Sequence, residues 1–136
     1  MEIQYPLITA LTAGVLVTYQ MLWALIVAGA RGRFRQSLGE ADKMGLVKYV
    51  RSHGNLAENA PIMLILLGLL EIGGTSASIL SWGAALFLIA RVMHPIGVFS
   101  RKPVNVYRFV GAAVTMVLGL TGGVMLVMLA VEQLPL

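Results

Sequence analysis

The segment YPLITALTAGVLVTYQMLWALIVAGA, residues 5–30, is a run of 26 residues without a single charge. Two more uncharged runs follow at residues 72–90 and 109–131, and they contain 19 and 23 residues. An α-helix needs about 20 apolar residues to cross the roughly 30 Å of hydrocarbon in a bilayer. A soluble protein of 136 residues could not bury three such segments. The sequence therefore predicts an integral membrane protein.

The composition agrees with this prediction. The chain is 58% hydrophobic and 12% charged, whereas soluble domains are about 25% charged. The first uncharged run lacks the basic leader and the small-residue cleavage site that are typical of a signal peptide. No cysteine is present, which excludes disulfides and cysteine–metal sites. We expect no metal site, because the two histidines have no carboxylate at ligand spacing. We expect no nucleic-acid partner, because membrane topology explains the basic residues better.

A fourth span is predicted between the first two uncharged runs, although charges interrupt it. Only twelve uncharged residues separate Glu58 from Glu71, and as a helix they cover about 18 Å. The helix must therefore extend backward through Asn55 towards Arg51, while Glu71 is expected at the outer interface as a solvated helix end. The predicted fold is a single all-α membrane domain over residues 1–136, a bundle of four transmembrane helices. Its approximate spans are residues 5–30, 46–72, 77–98 and 106–131.

The basic residues indicate the orientation of this bundle. With four spans, all of them fall on or near one side: Arg31, Arg33, Arg35, Lys43, Lys48, Arg51, Arg91, Arg101, Lys102 and Arg108. The opposite side, which includes both termini and the turn at residues 73–76, carries no basic residue. Lysine and arginine concentrate in the cytoplasmic connections of membrane proteins. We therefore predict that both termini lie on the side opposite the cytoplasm.

Polar side chains in span two are the first candidates for function. Arg51, Asn55 and Glu58 are spaced i, i+4, i+7 and share one helical face, whereas His53 points away from it. Polar groups at this depth are costly unless they pair or bind something. One interpretation is structural, with an ion pair between Arg51 and Glu58 and with Asn55 joining two helices. The other interpretation is a binding site.

A second group of polar residues favours the binding site. Arg91 and His94 lie at the predicted cytoplasmic end of span three, and Tyr107 and Arg108 open span four. Three helix ends thus bring several cations to one layer but only one carboxylate, that of Glu58. This balance predicts a pocket for an anionic ligand that also carries an amine.

Three motifs point to a family. RSHGNLAENAP at residues 51–61 is followed by ARVMH at 90–94 and by YRFVG at 107–111. Together they resemble the MAPEG superfamily, the membrane-associated proteins of eicosanoid and glutathione metabolism, and in particular its prokaryotic members that are similar to microsomal glutathione transferases. The resemblance covers nearly the whole chain. It implies a homotrimer of four-helix subunits in the lipid bilayer of a bacterial inner membrane, with glutathione bound as co-substrate between adjacent subunits near the cytoplasmic face.

The resemblance also implies roles for individual residues in binding glutathione. Glu58 would accept hydrogen bonds from the γ-glutamyl amine, while Arg51 and Asn55 would hold carboxylate and amide groups. Arg31 is similar to the arginine that reaches glutathione from the first helix in this family. Arg33 is the alternative match for the same position.

Span three and span four contribute the remaining residues that the resemblance identifies. Arg108 would be the catalytic residue, because it matches the arginine that faces the thiol. His94 and Tyr107 join the predicted glutathione-binding set. His53 and Arg91 match motif positions as well, but we interpret them as structural, the first as a helix-end hydrogen bond and the second as an interfacial anchor.

Three positions differ from the pattern of other family members and bear on which activity the resemblance implies. Asn59 stands where many members have a tyrosine, and Val98 stands where the eicosanoid-making members have one. Phe109 replaces the serine of the prostaglandin-forming member. These differences argue against eicosanoid synthesis. They favour a glutathione transferase or peroxidase that acts on lipophilic electrophiles or hydroperoxides in detoxification.

Two other classes of protein compete with this interpretation. A small multidrug-type transporter also has four short spans, but it needs an ionisable residue deep in a span. Span one has no carboxylate between Glu2 and Glu40, which argues against a transporter. A non-catalytic membrane assembly protein would use the same helices without glutathione, and the sequence does not separate it from an enzyme.

Overall fold

The structure is a computed structural model that describes residues 5–39, 43–102 and 105–134. Within these residues the chain forms four α-helices. Their bounds are α1 Leu7–Phe34, α2 Met44–Ile72, α3 Ala77–Phe99 and α4 Val106–Glu132. All four are long and apolar enough to cross a membrane. The predicted all-α bundle of four membrane-spanning helices is confirmed.

Two helices continue into charged sequence at one end of the bundle. α1 runs past its uncharged segment through Arg31 and ends at Phe34, and Arg35 follows in the left-handed conformation with a φ of 51°. Cations near the C-terminus of a helix interact favourably with its dipole. α2 begins at Met44, so Arg51 lies inside the helix. This end of the bundle, where α1 and α3 end and α2 and α4 begin, is called the polar end below.

The two middle helices hold the bundle together. Among the described residues, α2 and α3 each contact all three other helices, whereas α1 does not contact α4. The core lies between these helices and consists of Leu16, Trp23, Leu56, Ala60 and Phe87. The outer faces carry many large apolar side chains that would be unfavourable in water. Their exposure fits a surface that faces lipid.

The start of α4 is fixed against α3 by close backbone contact. A Cβ atom at Gly111 would lie 2.9 Å from the carbonyl oxygen of Ala90, and one at Gly97 would lie 2.5 Å from the backbone nitrogen of Arg108. Small residues at such crossings allow two membrane helices to approach closely. Asn105 adds a cap: its Oδ1 accepts from the N–H of Arg108 at 3.0 Å, and its Nδ2 donates to the carbonyl of Gly97 at 2.7 Å. The backbone of Arg108 is therefore held firmly in place.

Glu71 connects two helices at the opposite end of the bundle. Its carboxylate accepts hydrogen bonds from the backbone N–H of Ile8 at 2.9 Å and from the N–H and hydroxyl of Thr9 at 2.8 and 2.6 Å. The first turn of α1 has no side-chain cap of its own, because its N-cap residue is Pro6. A carboxylate satisfies these free N–H groups and suits the positive end of the helix dipole. The expectation of a solvated helix end was wrong, since Glu71 caps α1.

Candidate functional site

Polar side chains from three helices lie at the polar end, and a buried arginine joins them. Arg91 of α3 donates from Nη1 to Oδ1 of Asn55 on α2 at 2.6 Å. Its Nη2 donates to the carbonyl of Gly111 at 3.2 Å and to the hydroxyl of Thr115, both on α4. The guanidinium also lies 5.2 Å from the ring centroid of Phe87, within the range of a cation–π contact. One side chain thus ties α2, α3 and α4 together.

The environment of Arg91 differs from the prediction. It was expected as an interfacial anchor, but only 3% of its surface is exposed. The atoms that accept its hydrogen bonds are all uncharged, and its Nε has no hydrogen-bond partner among the described residues. A buried charge without a counter-ion is costly, most of all in a membrane protein. The prediction of an interfacial anchor is therefore wrong, because Arg91 lies in the interior of the bundle.

The contact with Arg91 determines how Asn55 is oriented. Arginine has only donors, so the amide of Asn55 must present its oxygen to the guanidinium. The Nδ2 group then points to the other side, and no described residue accepts a hydrogen bond from it. The backbone carbonyl of Asn55 accepts from Nδ2 of Asn59 at 2.7 Å, so the backbone is satisfied as well. Within the described residues, Asn55 therefore has a free donor group, the NH2 of its side chain.

Arg51 and Glu58 share the helical face of Asn55 but remain free. Both side chains are exposed in the single subunit. Neither forms a hydrogen bond or ion pair with another residue in the described part of the chain, so the structural interpretation of an Arg51–Glu58 pair is wrong. The face of α2 therefore presents a cation, an amide donor and a carboxylate that no contact with the described residues neutralises.

His94, three residues after Arg91 on α3, has an unsatisfied ring nitrogen. The residue is 9% exposed, and its Nδ1 has no hydrogen-bond partner in the described residues. Its backbone lies against α4 where Gly111 allows close approach, with His94 N 3.3 Å from the position of a Cβ at Gly111. A buried polar atom without a partner is unfavourable unless water or a ligand reaches it.

The first turn of α4 places two exposed side chains at the same end. Tyr107 is 51% exposed, and Arg108 is also exposed. Neither side chain makes a hydrogen bond with another described residue, although the backbone of Arg108 is held by Asn105. Arg108 thus combines a fixed backbone with a side chain that has no hydrogen-bond partner among the described residues.

Arg31 and His53 form hydrogen bonds with other partners and do not join the contact between Arg91 and Asn55. Nη1 of Arg31 donates to the carbonyls of Ser37 at 3.3 Å and Gly39 at 2.9 Å, so it closes the connection after α1. The competing residue, Arg33, is exposed. Nε2 of His53 lies 2.8 Å from Nε2 of Gln20 and joins α2 to α1. The predicted helix-end hydrogen bond of His53 is not what the structure shows, since its ring contacts a side chain of another helix.

Four hydrogen-bond partners of the predicted residues were not identified from the sequence. Thr115 and Gly111 accept from Arg91, Asn105 caps α4, and Gln20 pairs with His53. Asn105 did carry a signal, because asparagine three residues before a helical N–H is a common N-cap. The other three are uncharged residues within spans, and only the tertiary structure shows their partners.

Comparison with known proteins gives one finding on family. The sequence profile described as the MAPEG family matches residues 9–128, nearly the whole chain. Comparisons with curated proteins and with solved structures gave no significant match. The matched region contains all the residues of the polar end described above. By this match, the protein belongs to the MAPEG family.

Proposed function

We propose that the protein is a membrane-embedded glutathione transferase that also reduces hydroperoxides. The proposal rests on the face of α2, where the cation of Arg51, the Nδ2 of Asn55 and the carboxylate of Glu58 have no hydrogen-bond or ion-pair partner among the described residues. Glutathione carries carboxylates, amide carbonyls and one ammonium group, which are the complements of these three groups. The family match supports this choice at the level of the family.

The three groups on α2 have distinct roles in this proposal. Glu58 accepts hydrogen bonds from the γ-glutamyl ammonium, and Arg51 binds a carboxylate. The Nδ2 of Asn55 donates to a carbonyl or carboxylate oxygen. Hydrogen bonds between ionised groups are about twice as strong as neutral ones, so the two charged residues supply most of the affinity. The unsatisfied Nδ1 of His94 and the hydroxyl of Tyr107 contribute further polar contacts.

Arg108 stabilises the reactive sulfur in the proposed mechanism. A free thiol of this type has a pKa near 8.5, so it is mostly protonated at pH 7, while the thiolate is the nucleophile. A fixed opposite charge a few ångströms away lowers such a pKa by about 1–3 pH units. The exposed side chain of Arg108 on a fixed backbone suits this task.

The chemistry then follows from the thiolate. Its sulfur forms a bond to an electrophilic carbon, and the leaving group departs with the electrons of the broken bond. With a hydroperoxide, the sulfur instead attacks the terminal oxygen, the O–O bond breaks, and the alkoxide leaves and takes up a proton to give an alcohol. The thiol of a second glutathione then attacks the sulfur of the resulting sulfenic acid, and water is released as the disulfide forms. The electrophile is lipophilic and arrives from the bilayer. This explains why a binding site for a water-soluble tripeptide is built on membrane helices.

The proposed assembly is a homotrimer with the site between subunits. Arg51, Glu58 and Arg108 are all exposed on the single subunit, and an adjacent subunit would enclose them and exclude water. Arg31 or Arg33 would then reach glutathione from the neighbouring α1. The site faces the cytoplasm in this proposal, where glutathione is available.

Calorimetry with detergent-purified protein tests the proposal. We expect glutathione to bind with measurable heat, and we expect turnover with a simple aromatic electrophile or a lipid hydroperoxide. Binding without turnover of any electrophile or hydroperoxide would favour the non-catalytic assembly protein. A complete absence of binding would contradict the proposal.

A further inference from the structure

We infer that Arg91 is a positioning residue for glutathione, because it fixes the side-chain amide of Asn55 with the nitrogen towards the ligand. The inference rests on the proposed function and deepens it. Arg91 does not touch the ligand in this account. It acts through Asn55, and it makes that asparagine a donor instead of an acceptor.

The contact between Arg91 and Asn55 has a defined geometry. Nη1 of Arg91 donates to Oδ1 of Asn55 at 2.6 Å, a short distance for a charge-assisted hydrogen bond. Nη2 is held by Gly111 and Thr115 on α4, so the guanidinium cannot follow a rotating amide. If the amide of Asn55 turned over, its NH2 group would face a cation. The buried arginine therefore selects one of the two amide orientations.

The charge of Arg91 matters as well. Arg91 is 3% exposed and its acceptors are uncharged. An aspartate at position 55 would supply a counter-ion and relieve the cost of this buried charge. The same aspartate would remove the Nδ2 donor and place a negative charge beside an anionic ligand. We therefore expect the bundle to be less stable with asparagine at position 55 than with aspartate, but to bind glutathione more tightly.

These two effects predict that stability and affinity change in opposite directions. In Asn55→Asp we expect the thermal midpoint to rise. We expect the Kd for glutathione to increase by roughly ten- to a hundredfold, since the Nδ2 donor is lost and a negative charge is placed beside an anionic ligand. Asn59→Asp is the matched control for stability, because it makes the same change one turn along α2. Its side chain contacts the carbonyl of Asn55 and not Arg91, so no rise is expected.

A second pair of variants tests the orientation itself. Arg91→Lys keeps a cationic donor, so the oxygen of Asn55 still faces it, and we expect part of the affinity to remain. Arg91→Gln can donate or accept, so it no longer selects an orientation. It should raise the KM for glutathione several-fold more than Arg91→Lys and should change kcat little, because Arg108 is untouched. If Arg91 were merely structural, its substitution would lower the amount of folded protein but would not raise KM while leaving kcat nearly unchanged.

The outcomes separate the inference from the proposed function. If wild-type protein binds no glutathione, the proposed function fails and the inference fails with it. If wild-type protein binds glutathione and Asn55→Asp binds it equally well, only the inference fails. Equal KM values for folded Arg91→Lys and Arg91→Gln would also overturn it. If Asn55→Asp is less stable than wild type, aspartate does not act as a counter-ion to Arg91. The KM values of Arg91→Lys and Arg91→Gln then decide whether Arg91 orients the amide of Asn55.

Discussion

At the scale of residues, Arg91 and Arg108 carry the same guanidinium group in opposite environments. Arg91 is 3% exposed and uses its donors on α2 and α4, whereas Arg108 is exposed and its side chain makes no contact of this kind within the described residues. A buried arginine with fixed partners orients its neighbours. An exposed arginine on a capped helix end can approach a ligand. The different positions of the two arginines in the fold therefore support the different roles proposed for them.

The binding face of α2 leads to a prediction on affinity. Arg51→Ala and Glu58→Gln should each weaken glutathione binding by about 2–5 kcal/mol, because each leaves a desolvated charge on the ligand unpaired. Ser52→Ala is the control. Its side chain lies buried on another face, and its hydroxyl donates to the carbonyl of Lys48 at 2.8 Å. Calorimetry gives the affinities. If the variant that combines Arg51→Ala with Glu58→Gln binds glutathione as tightly as wild type, the pocket lies elsewhere.

Arg108 leads to a prediction on turnover. Arg108→Ala should reduce kcat by about 10- to 1,000-fold if one to three pH units of thiol pKa are lost. The loss of affinity should be smaller, since α2 still holds the peptide part of glutathione. Arg108→Lys should restore part of the rate, because the charge remains while the planar fork does not. Conjugation rates measure the effect. A wild-type rate in Arg108→Ala would show that this arginine does not stabilise the thiolate and is only an interfacial anchor.

At the scale of elements, the contact between α3 and α4 depends on the lack of a side chain at Gly111. Gly111→Ala would place a Cβ 2.9 Å from the backbone oxygen of Ala90, which cannot move aside as a flexible side chain would. Such overpacking costs about 1–3 kcal/mol. Gly14→Ala in α1 is the control, since nothing lies within 4 Å of its added Cβ. We expect a lower thermal midpoint for Gly111→Ala alone, and equal midpoints would contradict the close packing.

The cap that Glu71 provides to α1 is a second property of the elements. Glu71→Ala removes the acceptor of three hydrogen bonds from Ile8 and Thr9. The loss of a cap of this kind should lower stability by about 1–2 kcal/mol. Glutathione affinity should stay unchanged, because Glu71 lies at the end of the bundle opposite the polar end. Glu132→Ala, at the end of α4, is a control for removing an acidic residue. A large loss of glutathione affinity in Glu71→Ala would contradict the location of the site.

At the scale of the whole molecule, the sequence predicted the four helices because membrane spans have a length requirement. The short uncharged interval between Glu58 and Glu71 required α2 to start earlier, and α2 does begin at Met44. The partners of Arg91 and Glu71 were not predicted. Each lies near a helix end in the sequence, where charged residues are usually solvated, and only the packing of distant helices places Thr115 or Thr9 beside them.

The charge asymmetry leads to a prediction on orientation. All ten basic residues belong to one side of a four-span chain, and basic connections remain in the cytoplasm. A reporter that is active only after export, fused behind the C-terminus, should therefore work. A reporter that is active only in the cytoplasm should give no signal at the same place. The reverse pattern would overturn the predicted orientation.

The central claim is that the protein binds glutathione as a thiolate, and ultraviolet absorbance measures this directly. Purified protein is titrated with glutathione at a series of pH values, and the thiolate band of the bound ligand is followed. We predict that the bound thiol ionises about 1–3 pH units below the value near 8.5 for a free thiol. The band should then be present at pH 7, and Arg108→Ala should lose most of it. Glutathione that binds to wild-type protein with its thiol still protonated at pH 7 would contradict the claim.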